Sequence, residues 1–147
     1  LRYVGQLGGL YPKGALSKAL VDEAMDATED VAGLVIKVIY GSKDEEEKKE
    51  GFAKIVDTKG YNIPYWMDKF EAVIKENEDK GNKNGYIVGD KLTIADLKVY
   101  AIWKWIRDNV PGAKELLLQR KRLNMLVFMI GINDCIKKFN EQFEKNT

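Results

Sequence analysis

The sequence has no histidine, and Cys135 is its single cysteine in 147 residues. Without histidine, Ser-His and Cys-His catalysis and every His-ligated metal site are excluded. One cysteine cannot build an intrachain disulfide framework, and it suits a reducing compartment. The ordinary reading of Cys135 is a small helix residue. Proline occurs at only 3 positions, so long helices can run uninterrupted. Lys and Arg total 24 against 23 Asp and Glu, a net charge of +1. The basic excess of a nucleic-acid binder is therefore absent. No apolar run approaches the roughly eighteen residues of a membrane-spanning helix. Gly5-Gln6-Leu7-Gly8-Gly9 is the nearest thing to a phosphate-binding loop, but no strand precedes it and no helix directly follows. No segment reads as a β-strand and no internal repeat is present. The remainder, 45% apolar and 32% charged, is one domain's worth of helix-biased chain.

One stretch organises this chain: Tyr86-Ile87-Val88-Gly89-Asp90-Lys91-Leu92-Thr93-Ile94-Ala95-Asp96-Leu97. Gly89 supplies a tight turn. Thr93 stands where an N-cap belongs. Its hydroxyl can accept the Asp96 N–H, and the Asp96 carboxylate can reach back to the Thr93 N–H. Leu92 and Leu97 are spaced as a hydrophobic staple around that capping box. The helix that follows is apolar at ten of the thirteen positions from Ile94 to Ile106. It is too short for a bilayer and is interrupted by Lys98 and Lys104, so the expectation is a buried central helix.

Other elements follow from periodicity. Leu1 to Leu7 reads as the last two turns of a helix, stopped by Gly8-Gly9. A long helix is predicted from about Leu16 to Tyr40. Its core stripe is Leu20, Ala24, Ala27, Val31, Leu34 and Val38. Ser42-Lys43-Asp44-Glu45 is a second capping-box candidate, with Ser42 as the cap. The charged stretch from Asp44 to Glu50 is a solvated face, anchored by Phe52, Ile55 and Val56, and Gly60 ends that helix. Pro64 suits the first turn of the next helix, whose stripe is Ile63, Trp66, Met67, Phe70, Val73 and Ile74. After a turn at Val110-Pro111-Gly112, one apolar helix carries Leu116 through Ile130. A short terminal helix carries Ile136, Phe139 and Phe143.

The long helix holds a local anomaly. Its polar face carries Asp26, Asp30, Gly33 and Lys37, yet Ile36 and Tyr40 also fall opposite the stripe. Either Ile36 is a stray surface residue and Tyr40 merely ends the helix, or this face lines a groove or meets a partner.

These residues resemble a family. The Gly-Asp turn followed by Leu-Thr-x-Ala-Asp, taken as the unit Tyr86–Asp96, is similar to the folding motif of the glutathione transferase C-terminal domain. Leu1-Arg2-Tyr3-Val4-Gly5 through Gly9-Leu10-Tyr11 resembles the end of that family's third helix. Ala19-Leu20-Val21-Asp22 and Glu29-Asp30 resemble its fourth. The similarity is closest to the pi, mu, alpha and sigma branch and is loosest after Pro111. The implied fold is an all-α bundle of about five to six helices around the buried central one. On this reading, residues 1–12 are the tail of a thioredoxin-like N-terminal domain and connector, and residues 13–147 are the helical domain. Because the chain begins with Leu1 rather than methionine, it reads as the back part of a longer protein.

The resemblance also implies a function. The family joins the glutathione thiolate to electrophilic substrates, with glutathione as co-substrate and no metal. The residue that activates the thiol belongs to the N-terminal domain, so no catalytic residue is expected here and this chain alone is expected to be inactive. Asp30 matches an aspartate that reaches the ammonium of glutathione across the dimer, and its other reading is a solvated helix acid. Ile36 and Tyr40 match the electrophile site, the same two residues the helical wheel sets apart. Arg2 and Asp26 resemble dimer-interface charges, whereas Gln6 departs from the arginine often found there. Thr93, Asp96, Leu92 and Leu97 are structural. The expected context is a cytoplasmic homodimer acting on small electrophiles, with neither nucleic acid nor membrane as partner. The alternative is a non-catalytic interaction or assembly domain of the same fold.

Overall fold

The computed structural model describes residues 1–144, and among them every regular element is a helix. In chain order these are α1 (Arg2–Leu7), α2 (Ala15–Gly41), α3 (Glu45–Ile55), α4 (Ile63–Asp79), α5 (Ile94–Asn109), α6 (Ala113–Leu118), α7 (Lys121–Gly131) and α8 (Asp134–Glu144). The expected all-α bundle around a buried central helix is present. The described residues form eight helices rather than five or six. The predicted helix over Leu116–Ile130 is in fact two, α6 and α7, parted at Gln119-Arg120.

Helix α5 is the axis. Ile94, Ala95, Val99, Trp103 and Ile106 are almost wholly withdrawn from solvent. Helix α2 packs along one side, α7 along another, and α6 at its end. The Trp103 ring meets Phe70 of α4 edge-on, centroids 5.9 Å apart. That geometry is the one the ring quadrupoles favour.

The start of α5 forms as its residues require. Gly89 takes φ +70°, and the Thr93–Asp96 box is in place. Asp96, with no solvent exposure, is its dominant partner. One carboxylate oxygen accepts the Thr93 N–H at 2.7 Å and the Thr93 hydroxyl at 2.9 Å. The other accepts the Ile87 N–H at 2.8 Å. The cap thus also ties down the loop before it. Leu92 and Leu97 are half-buried against the core. Asn77 of α4 holds the same loop from outside. It donates to the carbonyls of Tyr86 (2.9 Å) and Gly89 (2.8 Å) and accepts the Gly89 N–H (3.0 Å). Burial pushes the Asp96 carboxyl above its ordinary range, opposed by the donors from Ile87 and Thr93.

Three local expectations are corrected. First, α2 is rotated. Its buried residues are Val21, Ala24, Met25, Thr28, Val31, Ala32, Val35 and Val38, while Leu20, Ala27 and Leu34 are only half-buried. The buried stripe is displaced by roughly 70° on the wheel from the predicted one. Thr28 can lie inside because its hydroxyl donates to the Met25 carbonyl at 2.6 Å. Second, Ser42 does not cap α3. Its hydroxyl donates back to Val38 of α2, and Asp44 is the cap, accepting the Glu47 N–H at 2.8 Å. Third, Val73 is 40% exposed and Trp66 half-buried, so the C-terminal half of the α4 stripe narrows to Met67, Phe70 and Ile74. Separately, α7 has no cap of its own. Glu71 of α4 reaches across to accept the N–H groups of Arg122 and Leu123, each at 2.9 Å. The Phe143 side chain of the predicted terminal stripe lies outside the described residues. Ile136 is half-buried and Phe139 is 62% exposed.

Helix α1 ends as expected. Gly9 takes φ +69°, Leu10 N–H reaches Gly5 O at 2.8 Å and Gly9 N–H reaches Gln6 O at 3.3 Å. These are the two bonds of a Schellman stop. Leu1 before that helix, and Tyr3, Val4 and Leu7 within it, all face solvent.

Candidate functional site

The solvent face of α2 gathers the residues singled out from the sequence. Glu29, Asp30, Gly33, Ile36, Lys37 and Tyr40 lie within one arc of the helix. From Asp30 to Tyr40 the face is about 15 Å long. Its N-terminal half is acidic and its C-terminal half apolar. Tyr40 is 83% exposed and Ile36 is 45% exposed. Two neighbouring large apolar side chains therefore project from a helix whose opposite side already serves the core. Asp30 is exposed, and its neighbour Glu29 is ion-paired with Lys98 of α5. Among the described residues, no group of three or more His, Cys, Asp or Glu converges as metal ligands would.

Arg2 and Asp26 are brought together, at 3.3 Å, but within one chain. Arg2 also pairs with Asp22 at 2.6 Å, and the Tyr11 hydroxyl donates to both oxygens of Asp22 at 3.0 Å. This clasp fastens α1 and the connector to α2. The hydrogen bond from Arg2 holds the Asp22 carboxyl below its ordinary range. Partial burial, and then the bond to Asp22, push the Tyr11 hydroxyl up.

A second feature was not anticipated. A groove of about 590 Å³ runs between the N-terminal half of α2 and α4. Leu16, Leu20 and Ala27 form one wall, Trp66, Phe70 and Val73 the other, and Ile87–Gly89 close one end. Asp30, Ile36 and Tyr40 do not line it. The sequence signal for it is weak: Val73 and Leu20 fall on predicted core stripes, and the groove is what leaves them partly uncovered. Only the rotation of α2 creates this edge.

Fold and helix-start motif together define the class. Residues 29–143 match the family model described as "Glutathione S-transferase, C-terminal domain", and the chain belongs to this family. Among particular relatives, it is 24% identical over 139 residues to glutathione S-transferase alpha M14 of Sus scrofa, covering 95% of this chain and 57% of that protein. It is 30% identical over 121 residues to a putative glutathione S-transferase alpha-3 of Dictyostelium discoideum, covering 82% of this chain and 52% of that protein. The chain thus spans about half the length of the curated relatives it matches. Solved structures share its fold. Prostaglandin synthase D of Nilaparvata lugens superposes with a TM-score of 0.78 at 21% identity, over 95% of this chain and 64% of that one. Na-GST-3 of Necator americanus, described as monomeric, gives 0.70 at 22% identity, over 96% and 64%.

Proposed function

We propose that the protein carrying this chain is a glutathione transferase, and that this chain supplies the wall of the electrophile site. The observation that carries the reading is the exposed apolar pair Ile36 and Tyr40 on α2, inside a family-matched domain. A ring packed on Tyr40 gains dispersion and apolar burial, and the phenol can donate a hydrogen bond to it. Asp30 pairs with the ammonium of glutathione bound to a second subunit, a charge-assisted contact. Arg2 and Asp26 lie at the homodimer interface, where their in-chain pairing sets the charge presented to the partner. The thiolate is activated by a hydroxyl of the thioredoxin-like domain. Lowering that thiol's pKa raises its reactive fraction at neutral pH. The protein acts in the cytoplasm on small electrophiles.

The test compares the full-length protein with residues 1–147 alone, using glutathione and 1-chloro-2,4-dinitrobenzene. The full-length protein conjugates the pair and the isolated chain does not. Asp30→Asn raises the KM for glutathione several-fold, whereas Tyr40→Ala acts on the electrophile KM. A full-length protein that binds no glutathione would overturn the reading in favour of an assembly domain. A chain that conjugates by itself would overturn the division of labour.

A further inference from the structure

Helix α7 is apolar on two opposite faces. Leu123, Leu126, Val127 and Ile130 are buried, and the helix packs on α4 and α5. Met125, Phe128 and the capping residue Ile132 fall within about 60° of one another on the other side of the wheel. They are 55%, 59% and 57% exposed. From Met125 to Ile132 the chain holds no polar side chain. A helix on the surface of a bundle ordinarily places polar residues opposite its core stripe. The chain's own packing does not account for this apolar ridge.

The charge around it is one-sided too. Between Glu115 and Glu141 the chain carries Arg120, Lys121, Arg122, Lys137 and Lys138 against one acid, Asp134, although the whole chain is at +1. Arg120 and Arg122 are committed to Asp68, Glu71 and Glu78 of α4. Lys121, Lys137 and Lys138 are exposed, and none of them is ion-paired among the described residues. Lys121 shares the exposed arc of α7, and Lys137 and Lys138 lie one turn into α8.

Size, shape and charge choose the occupant. Three such side chains, exposed to this degree, offer roughly 300 Å², against the roughly 800 Å² that each partner contributes to a stable dimer. The ridge is convex, and the groove between α2 and α4 includes none of its residues. A rigid partner would need a groove cut to fit it, whereas a bilayer deforms around it. Apolar side chains settle at the acyl boundary of a bilayer, and lysine stems are long enough to hold their ammonium groups among anionic headgroups. No helix among the described residues is long and apolar enough to cross a membrane, so the contact is with its surface.

We infer that α7 is a docking ridge for anionic lipid surfaces. Met125, Phe128 and Ile132 seat at the acyl boundary, and Lys121, Lys137 and Lys138 meet the headgroups. The contact is peripheral and reversible. The inference is independent of the transferase reading and departs from the expectation that no membrane is a partner.

The test is co-sedimentation of the full-length protein with vesicles of phosphatidylcholine alone, or of phosphatidylcholine and phosphatidylserine in equal parts. The wild type partitions onto the mixed vesicles at least tenfold more strongly, and added salt weakens it. Met125→Gln/Phe128→Gln lowers that partition at least tenfold. Both positions are exposed, so Tm stays within a few degrees. Lys121→Gln/Lys137→Gln/Lys138→Gln also lowers it at least tenfold, and abolishes most of the preference for phosphatidylserine and of the salt dependence. Should the first variant lower Tm further, the lysine variant decides alone. A wild type that does not sediment with the mixed vesicles would overturn the inference, as would variants that bind like the wild type. Light scattering gives the rival outcome. A protein that ignores vesicles but self-associates, and becomes monomeric in Met125→Gln/Phe128→Gln, would overturn it in favour of a contact between copies.

Discussion

Replacing Asp96 by alanine tests the central argument about how α5 begins. The carboxylate accepts three hydrogen bonds, from Ile87 N–H, Thr93 N–H and the Thr93 hydroxyl. Ile87 is 2% exposed and Thr93 7%, so water cannot readily replace the lost acceptor. The hydroxyl can rotate to another partner, but the two amides cannot. An orphaned buried donor costs about 1–3 kcal/mol, so two cost about 4. Removing a desolvated charge returns part of that. The expected net loss is about 3 kcal/mol, which for a chain of this size lowers Tm by about 10 °C. Urea and thermal unfolding followed by circular dichroism measure it. The pH dependence provides a second check. Burial raises the folded-state pKa of Asp96. In the window between its unfolded and folded values, the native state binds more protons than the unfolded state, so wild-type stability falls as pH rises. The variant lacks this term. The gap between the two proteins should therefore widen as pH falls through that window. A loss below about 1 kcal/mol would refute the capping argument. A gap that narrows on acidification would show that the donated hydrogen bonds outweigh burial.

Three other outcomes follow from the same geometry. Glu71→Ala removes the acceptor for the α7 N-terminus and should cost about 2 kcal/mol in urea unfolding. Faster amide exchange at Arg122 and Leu123 would locate the loss, and an unchanged exchange rate there would refute the cross-helix cap. Gly51→Ala places a methyl 2.8 Å from Val38 Cγ1 and should destabilise by about 1–3 kcal/mol, read by urea unfolding. Arg2→Ala removes the main cause of the lowered Asp22 pKa, so carboxyl NMR titration should show it rising toward the ordinary range. Because that pKa is depressed in the folded state, the clasp stabilises above the unfolded value. Its contribution disappears as pH falls through the folded one, and Arg2→Ala should flatten this part of the profile.

Much of the architecture is legible locally. Gly9, Gly89, Thr93, Asp96 and Pro64 act through their own backbone or through residues three or four away, and such signals survive without tertiary context. The sequence points to Ser42 as the cap of α3, and the structure uses Asp44 instead. Only the end of α2, which takes the Ser42 hydroxyl, decides between them. The break between α6 and α7 carries no proline or glycine. It rests on Glu71, about fifty residues away in sequence, and so left no local mark. For the candidate site, Ile36 and Tyr40 were visible as misplaced apolar residues.

By itself the sequence determined that this chain is helical, where most helices start and stop, and that the helix after Thr93 is the core. Those outcomes depend on capping, turn chemistry and apolar period, all short-range. Only the tertiary structure decided which way α2 faces. Its apolar residues cover two overlapping stripes, one through Leu20, Ala27 and Leu34, the other through Val21, Met25 and Val35. Periodicity alone weighs them almost equally. Packing along α5 and α3 buried the second stripe, left the first as the edge of a groove, and turned Asp30, Ile36 and Tyr40 toward solvent. A helix's rotation is set by what it packs against, and that information lies in other segments of the chain.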